Sequence, residues 1–391
     1  MFSRRTDWPT APNRLSAALA RRRSQGLPII DLTESNPTRC GFVFDEQAVL
    51  KALANPAALR YEPHPRGLPA AREAVTAYYS EQGVTLSPDQ LVLTTGTSEA
   101  YSFLMRLVAE PGDEILSPSP SYPLLDYLAG LNDLTLVRYP LLYDHGWQLD
   151  LDRLKDSITP RSRAIIVVTP NNPTGSFLSR AELDALTEVA SRHGLALIAD
   201  EVFRDYAWQP DPARAGPLAA VSECLTFTLN GLSKVSALPQ LKLAWIAVNG
   251  PGQLQADALS RLEIIADTYL SVSTPIQHAT GVLLEQRRKL QPQILARVRD
   301  NLGFLDWTLE TVAPVTRLAA EGGWYAILRL PHTQSDEDQA LALLENDGVY
   351  VHPGHLFDFE QEGRMVVSLI PNPGDFQAGV LRILRRASAP A

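Results

Sequence analysis

The strongest constraint on the fold is a series of six short apolar runs, which are separated by stretches with helical spacing. The runs are continuous rather than alternating, as is typical of strands buried on both faces of a sheet. They are QLVLTT (90–95), DEILSP (113–118), AIIVVTP (164–170), LALIAD (195–200), LTFTLN (225–230) and LAWIAV (243–248). Helical patterns cover residues 10–25, 69–82, 98–109 and 180–193. This alternation predicts a mostly parallel sheet in an α/β domain.

The C-terminal part of the chain has a different pattern. A long helical stretch (276–312) precedes three segments that resemble strands, at 321–331, 347–354 and 364–370. We interpret residues 40–274 as a large α/β domain that binds the ligand. Residues 1–39 and 275–391 are interpreted as a smaller α+β domain, to which the N-terminal arm contributes.

Composition excludes several classes of function. The net charge of −9 argues against nucleic acid or an anionic membrane as the main partner. No apolar run approaches the roughly 20 residues needed to span a bilayer, and the N-terminus lacks the apolar segment of a secretory signal. The two cysteines, Cys40 and Cys224, show neither CxxC nor Cys/His spacing, so we expect no metal site and a cytoplasmic location.

Polar residues follow five of the six apolar runs, at the point where each predicted strand ends. In an open α/β sheet, ligands bind outside the carboxyl ends of the strands. The sequence therefore predicts one site that is built from dispersed segments. These segments are Gly96-Thr97-Ser98, Ser121-Tyr122, Asn171 to Gly175, Asp200-Glu201 and Gly231 to Lys234.

Lysine is rare in this chain, with five lysines against thirty arginines, yet Lys234 and Lys242 lie eight residues apart. An amine that loses its proton can form a Schiff base, whereas a guanidinium effectively cannot. Gly96, Thr97 and Ser98 precede a helix, so the free amides and hydroxyls there suit a phosphate, although such a sequence is also an ordinary helix start.

Three further residues complete a cofactor site. Tyr122 can stack on a planar ring, Asn172 can donate its amide to a ring oxygen, and Asp200 can pair with a protonated ring nitrogen; alone, each also suits a structural role. A carboxylate, an imine-forming lysine and a phosphate site together describe pyridoxal phosphate. The occurrence of all these parts in one chain is far more specific than any single part.

The sequence resembles the class I/II aminotransferases, which are pyridoxal-phosphate enzymes of fold type I and include aspartate aminotransferase. The resemblance covers most of the chain. It is carried by Tyr61-x5-Gly67-x4-Arg72, Gly96 to Ala100, Pro120 to Pro123, Asn172 to Gly175, Ala199 to Val202, and Ser233-Lys234 with Lys242 eight residues later.

This resemblance implies a role for each matching residue. Lys234 is implied to be the Schiff-base lysine and Asp200 the partner of the pyridine nitrogen. Asn172 is implied to bond the phenolic oxygen and Tyr122 to stack on the ring, while Gly96, Thr97, Ser98 and Lys242 are implied to bind the phosphate. It also implies a homodimer, in which Tyr61 reaches the phosphate site of the other subunit.

The sequence departs from the family's pattern at four positions. Phe203 stands where the family often has a tyrosine, which predicts a raised pKa of the imine. Lys242 replaces a phosphate-binding arginine. Val366 occupies the position of the arginine that usually binds the substrate carboxylate. Arg364 is two residues earlier on the same face of a strand, where it either supplies that charge or is a surface residue; Arg329 is a weaker candidate.

The fourth departure is Ser35, which replaces glycine in a segment that contacts the substrate in the family. Ser35 and Asn36 are therefore candidate substrate residues, with Arg364. We expect an aminotransferase that moves an amino group between an amino acid or amine and a 2-oxo acid. The alternative is a lyase, decarboxylase, racemase or cyclising synthase on the same fold, because Val366 leaves the carboxylate clamp in doubt.

Overall fold

The structure is a computed structural model that describes residues 1–310, 315–331 and 334–388. Within these ranges the α-helices, α1 to α13 in chain order, are Arg14–Ser24, Glu46–Leu53, Pro69–Glu81, Thr97–Val108, Leu125–Leu131, Leu151–Asp156, Arg180–His193, Leu232–Val235, Gly252–Tyr269, Thr274–Glu285, Arg287–Leu309, Asp336–Ala342 and Pro373–Ala387. In the same ranges the strands, β1 to β14, are Ile30–Asp31, Leu91–Thr94, Glu114–Ser119, Thr135–Tyr143, Trp147–Leu149, Ser162–Val168, Ala196–Asp200, Thr226–Gly231, Ala244–Asn249, Thr316–Arg317, Tyr325–Arg329, Val349–Tyr350, His352–Pro353 and Arg364–Ser368.

The central sheet has the strand order β2-β9-β8-β7-β6-β3-β4-β5. The pairs from β8 through β7, β6 and β3 to β4 are parallel, whereas β9 runs antiparallel to both of its neighbours and β5 antiparallel to β4. All six apolar runs form strands of this sheet. The predicted α/β fold with a mostly parallel sheet is thus confirmed.

Both faces of the sheet are covered, which explains why the apolar runs are continuous. Ile198 packs in a cluster with side chains of α4 and α9, and Leu197, its neighbour on β7, packs on the opposite face with side chains of α7. Both are fully buried. Burying a large aliphatic side chain contributes roughly 1.5–3 kcal/mol, so every position of such a strand favours an apolar residue.

Two strands of the sheet were not predicted from the sequence. β4 contains Arg138 and Pro140 and is half-exposed along most of its length, and β5 has three residues. Neither forms a continuous apolar run, because β5 is the edge strand and β4, next to it, is only partly covered.

The C-terminal part forms a second, antiparallel sheet with the order β10-β11-β14-β13. β1 of the N-terminal arm pairs with β12, and Leu32 is buried in the same core as Val367 of β14. The predicted long helix 276–312 is in fact two helices, α10 and α11, which are separated at Gln286; residues 311–312 lie outside the described ranges. The division into domains at residues 40 and 275 remains a prediction.

Candidate active site

The site lies at the carboxyl edge of the central sheet. Asp200 is the last residue of β7, and β8 leads directly into the short helix α8 that carries Lys234. The segments with Asn172 and Tyr122 follow β6 and β3, and Gly96 follows β2. Because β3, β6, β7 and β8 are parallel neighbours, their ends bring these polar segments to one edge.

Lys234 and Asp200 form the electrostatic centre of this edge. Burial lowers the pKa of Lys234 to about 8, and the charge of Asp200 opposes that shift. Burial raises the pKa of Asp200 to about 6, against hydrogen bonds from Val202 N (3.1 Å) and Tyr101 Oη (3.2 Å) and the charge of Lys234. Both groups therefore titrate within about a unit of neutral pH, where proton transfer is most effective.

The ammonium of Lys234 faces two aromatic rings. Its Nζ lies 4.6 Å from the ring centroid of Trp324 and 5.1 Å from that of Phe203. The two rings meet edge to face at 5.2 Å. Trp324 is fully buried, and its Nε1–H has no hydrogen-bond partner among the described residues. Cation–π attraction stabilises the protonated amine and partly offsets the cost of its burial.

The loop with Asn172 and the segment before β11, which leads to Trp324, touch through their backbones. The amides of Glu321 and Gly322 both donate to Gly175 O, at 3.1 and 3.0 Å. A Cβ on Gly175 would collide with Gly322 O, and a Cβ on Gly322 would lie 2.7 Å from Tyr206 O. Gly175 also has a φ of +69°, which favours glycine.

Polar atoms with no partner show that this edge has hydrogen-bonding capacity left for a ligand. Asn172 Oδ1, Asn171 Nδ2 and Ser121 Oγ are buried and unpartnered among the described residues. Buried polar groups in folded proteins nearly always have a partner. A cofactor with ring oxygen and nitrogen atoms fits this set.

An anion site lies at the start of α4. Gly96 is the N-cap residue, and Thr97 and Ser98 form the first turn, whose amides have no side-chain cap. A Cβ on Gly96 would come within 3.2 Å of Lys242 Nζ, so the lysine amine lies directly beside this turn. An ammonium beside free helix N-terminal amides is a suitable environment for a phosphate.

Tyr122 and Ser35 lie at the border of the site. Burial raises the pKa of Tyr122 to about 12, and the charges of Asp200 and Tyr325 add to the shift. The Ser35 side chain lies beside the Tyr325 hydroxyl, and the Tyr325 ring lies 6.1 Å from that of Phe203 between centroids. The structure thus brings Tyr122, Ser35, Asp200 and Lys234 together.

Three other candidates have contacts elsewhere. Asn36 Oδ1 accepts hydrogen bonds from Thr38 N (3.1 Å) and Oγ1 (2.8 Å). Arg364 donates to Gln361 Oε1 at 2.6 Å, and Val366, next along its face, is only 1% exposed within an apolar cluster. Tyr61 is 81% exposed and lines a cavity of about 170 Å³ with Leu270.

Sequence reasoning missed Tyr101, Trp324 and Tyr325. Tyr101 lies one turn after Thr97 on α4, and Trp324 and Tyr325 follow Gly322 and Gly323. A glycine pair directly before two aromatic residues was the available signal, because it indicates a close backbone approach. The described residues contain no group of three or more His, Cys, Asp or Glu that could hold a metal ion. They also contain no helix long and apolar enough to cross a membrane.

The carboxyl edge of the central sheet thus combines a buried lysine–aspartate pair with an anion site. This combination on such a sheet defines a pyridoxal-phosphate-dependent enzyme of fold type I. The family model for aminotransferase class I and II matches residues 28–372, and the chain belongs to that family. It is an aminotransferase that transfers an amino group between an amino acid and a 2-oxo acid.

Individual proteins agree with this assignment. The chain is 29% identical to the alanine aminotransferase of Mycobacterium tuberculosis over 375 residues, covering 93% of this chain and 86% of that protein. It is 26% identical to the glutamate-pyruvate aminotransferase AlaA of Haemophilus influenzae, covering 93% and 92%. The crystal structure of an aminotransferase from Escherichia coli superposes with a TM-score of 0.87, at 25% identity, over 100% of this chain and 98% of that one. The expectation of an aminotransferase is therefore confirmed.

Proposed function

We propose that Lys234 is the residue that binds the cofactor covalently, as a Schiff base, and carries the proton in the transfer. The observation that supports this role best is the lowered pKa of its amine, about 8. A fraction of such an amine is unprotonated at neutral pH, so it can act both as a nucleophile and as a general base. The bound cofactor supplies an aldehyde for the amine and a pyridine ring that accepts electrons.

The other site residues hold and orient the cofactor in this proposal. Asp200 keeps the pyridine nitrogen protonated, and Tyr101 orients the Asp200 carboxylate through its hydroxyl. Asn172 would donate its Nδ2 to the phenolic oxygen, and Tyr122 would stack on the ring. Support for a phosphate site comes from the position of Lys242 beside Gly96, Thr97 and Ser98.

For the substrate, we propose that Ser35 and Tyr325 form one wall of the binding space. Alanine, glutamate and their 2-oxo acids are the first substrates to test, because the relatives are named alanine and glutamate-pyruvate aminotransferases. Arg364 and Asn36 remain predicted substrate residues. Their side chains are bonded elsewhere, so either one would have to leave its present partners first.

We also propose a homodimer in the cytoplasm. Tyr61 and Leu59 are 81% and 91% exposed, and Tyr61 shares a cavity with Leu270, which is 38% exposed. Exposed apolar side chains that lie close together are typical of a surface that binds another protein. Light scattering of the purified protein measures the mass directly, and a monomer at micromolar concentration would contradict this part of the proposal.

The role of Lys234 can be tested with a half-reaction. The protein loaded with pyridoxal phosphate is mixed with alanine or glutamate, and the conversion of the cofactor to its amine form is followed by absorbance and by the release of pyruvate or 2-oxoglutarate. We expect conversion in the wild type and in Lys155→Ala, an exposed lysine used as control. Lys234→Ala should lose it, and conversion at the wild-type rate in that variant would refute the assignment.

A further inference from the structure

The helical turn that carries Lys234 is held by hydrogen bonds from outside it. Tyr206 Oη donates to Lys234 O at 2.6 Å, and Gln291 Nε2 donates to Val235 O at 2.8 Å. Gln291 belongs to α11 and is 56 residues away from Val235 along the chain. Because α8 has only four residues, it is too short to be stable by itself, and these contacts determine its position.

The same Gln291 amide binds a carboxylate beneath this turn. Gln291 Nε2 donates to Asp205 Oδ2 at 2.7 Å, which places one side chain between Asp205 and Val235. Among the described residues, the other donors to Asp205 are also neutral: Tyr78 Oη at 3.2 Å from each oxygen, and Gln82 Nε2 at 3.3 Å. Burying a carboxylate costs free energy unless the group is hydrogen-bonded. The Asp205 carboxylate therefore holds its three donor side chains in fixed positions.

The network also reaches the start of the turn. Asn230, the residue before Gly231, donates from Nδ2 to Tyr78 Oη at 3.3 Å and accepts from Gly231 N at 2.8 Å. The segment 230–235 is therefore connected to Asp205 at both ends, through Tyr78 before Lys234 and through Gln291 after it.

Helix α11 in turn belongs to the core of the smaller sheet. Leu290 and Ile294, on either side of Gln291, are fully buried in the cluster that contains Val367 of β14. A shift of this helix would therefore displace Gln291, and with it both of the acceptors that Gln291 binds.

We propose that Gln291 and Asp205 are positioning residues that make the placement of the Lys234 amine depend on the placement of helix α11. This inference rests on the proposed role of Lys234. Neither residue touches the cofactor in the proposal; they act through the backbone of α8. The network thereby connects the smaller sheet, which contributes Tyr325 to the substrate wall, with the reactive amine.

The test compares two glutamines of the same helix. Gln291→Met keeps the length of the side chain and removes its donors. Gln293→Met is the matched control, because the Gln293 amide bonds Val43 and Lys289, outside the network. Two properties of the loaded enzyme are measured for each: the visible circular dichroism of the bound cofactor without substrate, and kcat and KM for the amino donor.

We expect Gln291→Met to change the visible circular dichroism and to lower kcat with little change in KM. The loss in kcat should be roughly 10- to 100-fold, because misplacing a catalytic group by about 1 Å can cost about 100-fold. Gln293→Met should resemble the wild type in both properties. If Gln291→Met does not fold, Gln291→Asn, which keeps a shorter amide, is expected to show the same change in direction.

Other outcomes separate the two proposals. Wild-type dichroism and kcat in Gln291→Met, or equal losses in both variants, would overturn the positioning role. A loaded wild type that fails to transaminate would contradict the proposed function alone, since the dichroism still decides whether Gln291 positions Lys234. An unchanged cofactor spectrum in Lys234→Ala would overturn both proposals.

Discussion

Replacing Lys234 by methionine is expected to stabilise the cofactor-free protein at neutral pH, although it removes the amine that we propose to react with the cofactor. Burial lowers the pKa of Lys234 from the ordinary 10.5 to about 8. One pKa unit corresponds to about 1.4 kcal/mol, so holding this lysine charged in the native state costs the fold about 3 kcal/mol. Methionine has a similar length and carries no charge, so this cost disappears.

The pH dependence distinguishes this effect from a simple change in packing. Between about pH 8 and 10.5 the unfolded chain holds a proton on Lys234 that the native state has released, so the stability of the wild type rises with pH. Lys234→Met has no such proton and does not share the rise. Its stability advantage should therefore shrink by up to about 3 kcal/mol over this range.

Urea unfolding of the cofactor-free protein, followed by tryptophan fluorescence at several pH values, measures this difference directly. Lys155→Met, at an exposed lysine that pairs only with Asp152 among the described residues, serves as the control and should differ from the wild type by a constant amount. A difference between Lys234→Met and the wild type that does not vary with pH would refute the reasoning.

Three further predictions concern the neighbours of Lys234. Asp200→Asn removes the charge that raises the pKa of Lys234, so the pKa of the amine should fall below about 8. The pH dependence of the acylation rate of this amine measures its pKa. The same pH dependence in the variant and in the wild type would contradict the pairing of Lys234 with Asp200. Tyr101→Phe removes a hydrogen bond that lowers the pKa of Asp200, so this pKa should rise. The acid limb of the plot of kcat against pH should then move to higher pH. A move to lower pH would show that the hydrogen bond does not lower the pKa of Asp200. Gly96→Ala displaces Lys242 Nζ, and Lys242→Gln removes its charge. Each variant should bind pyridoxal phosphate roughly tenfold more weakly in an equilibrium titration, which corresponds to about 1.4 kcal/mol of lost interaction. Wild-type affinity in both variants would argue against this phosphate site.

The central sheet could be predicted because its strands are buried on both faces. Leu197 and Ile198 are neighbours that pack on opposite sides of the sheet, and such burial leaves a continuous apolar run in the sequence. β4 gives no such signal, since a strand at the border of the sheet tolerates Arg138 and Pro140. The placement of the candidate site residues at strand ends was predictable for the same reason, because each follows a strand that can be recognised.

The contacts that tune the site could not be predicted. Trp324 is 90 residues from Lys234 in the sequence, and the segment that leads into β11 brings its ring centroid to 4.6 Å from the amine. Gln291 has no distinctive sequence context, and its importance arises from two acceptors on different segments. Local patterns report burial and turns, whereas such contacts depend on how two sheets pack against each other.

The close approach of Gly175 and Gly322 has a consequence for how this enzyme can acquire new substrates. A Cβ on Gly175 would collide with Gly322 O, and a Cβ on Gly322 would collide with Tyr206 O and the Phe177 ring, so a side chain at either position would displace the segment that leads to Trp324. Ser35, by contrast, is only half-buried and lies beside Tyr325 at the border of the site. Directed evolution towards a new amino donor should therefore accumulate substitutions at Ser35, while both glycines persist in the active variants.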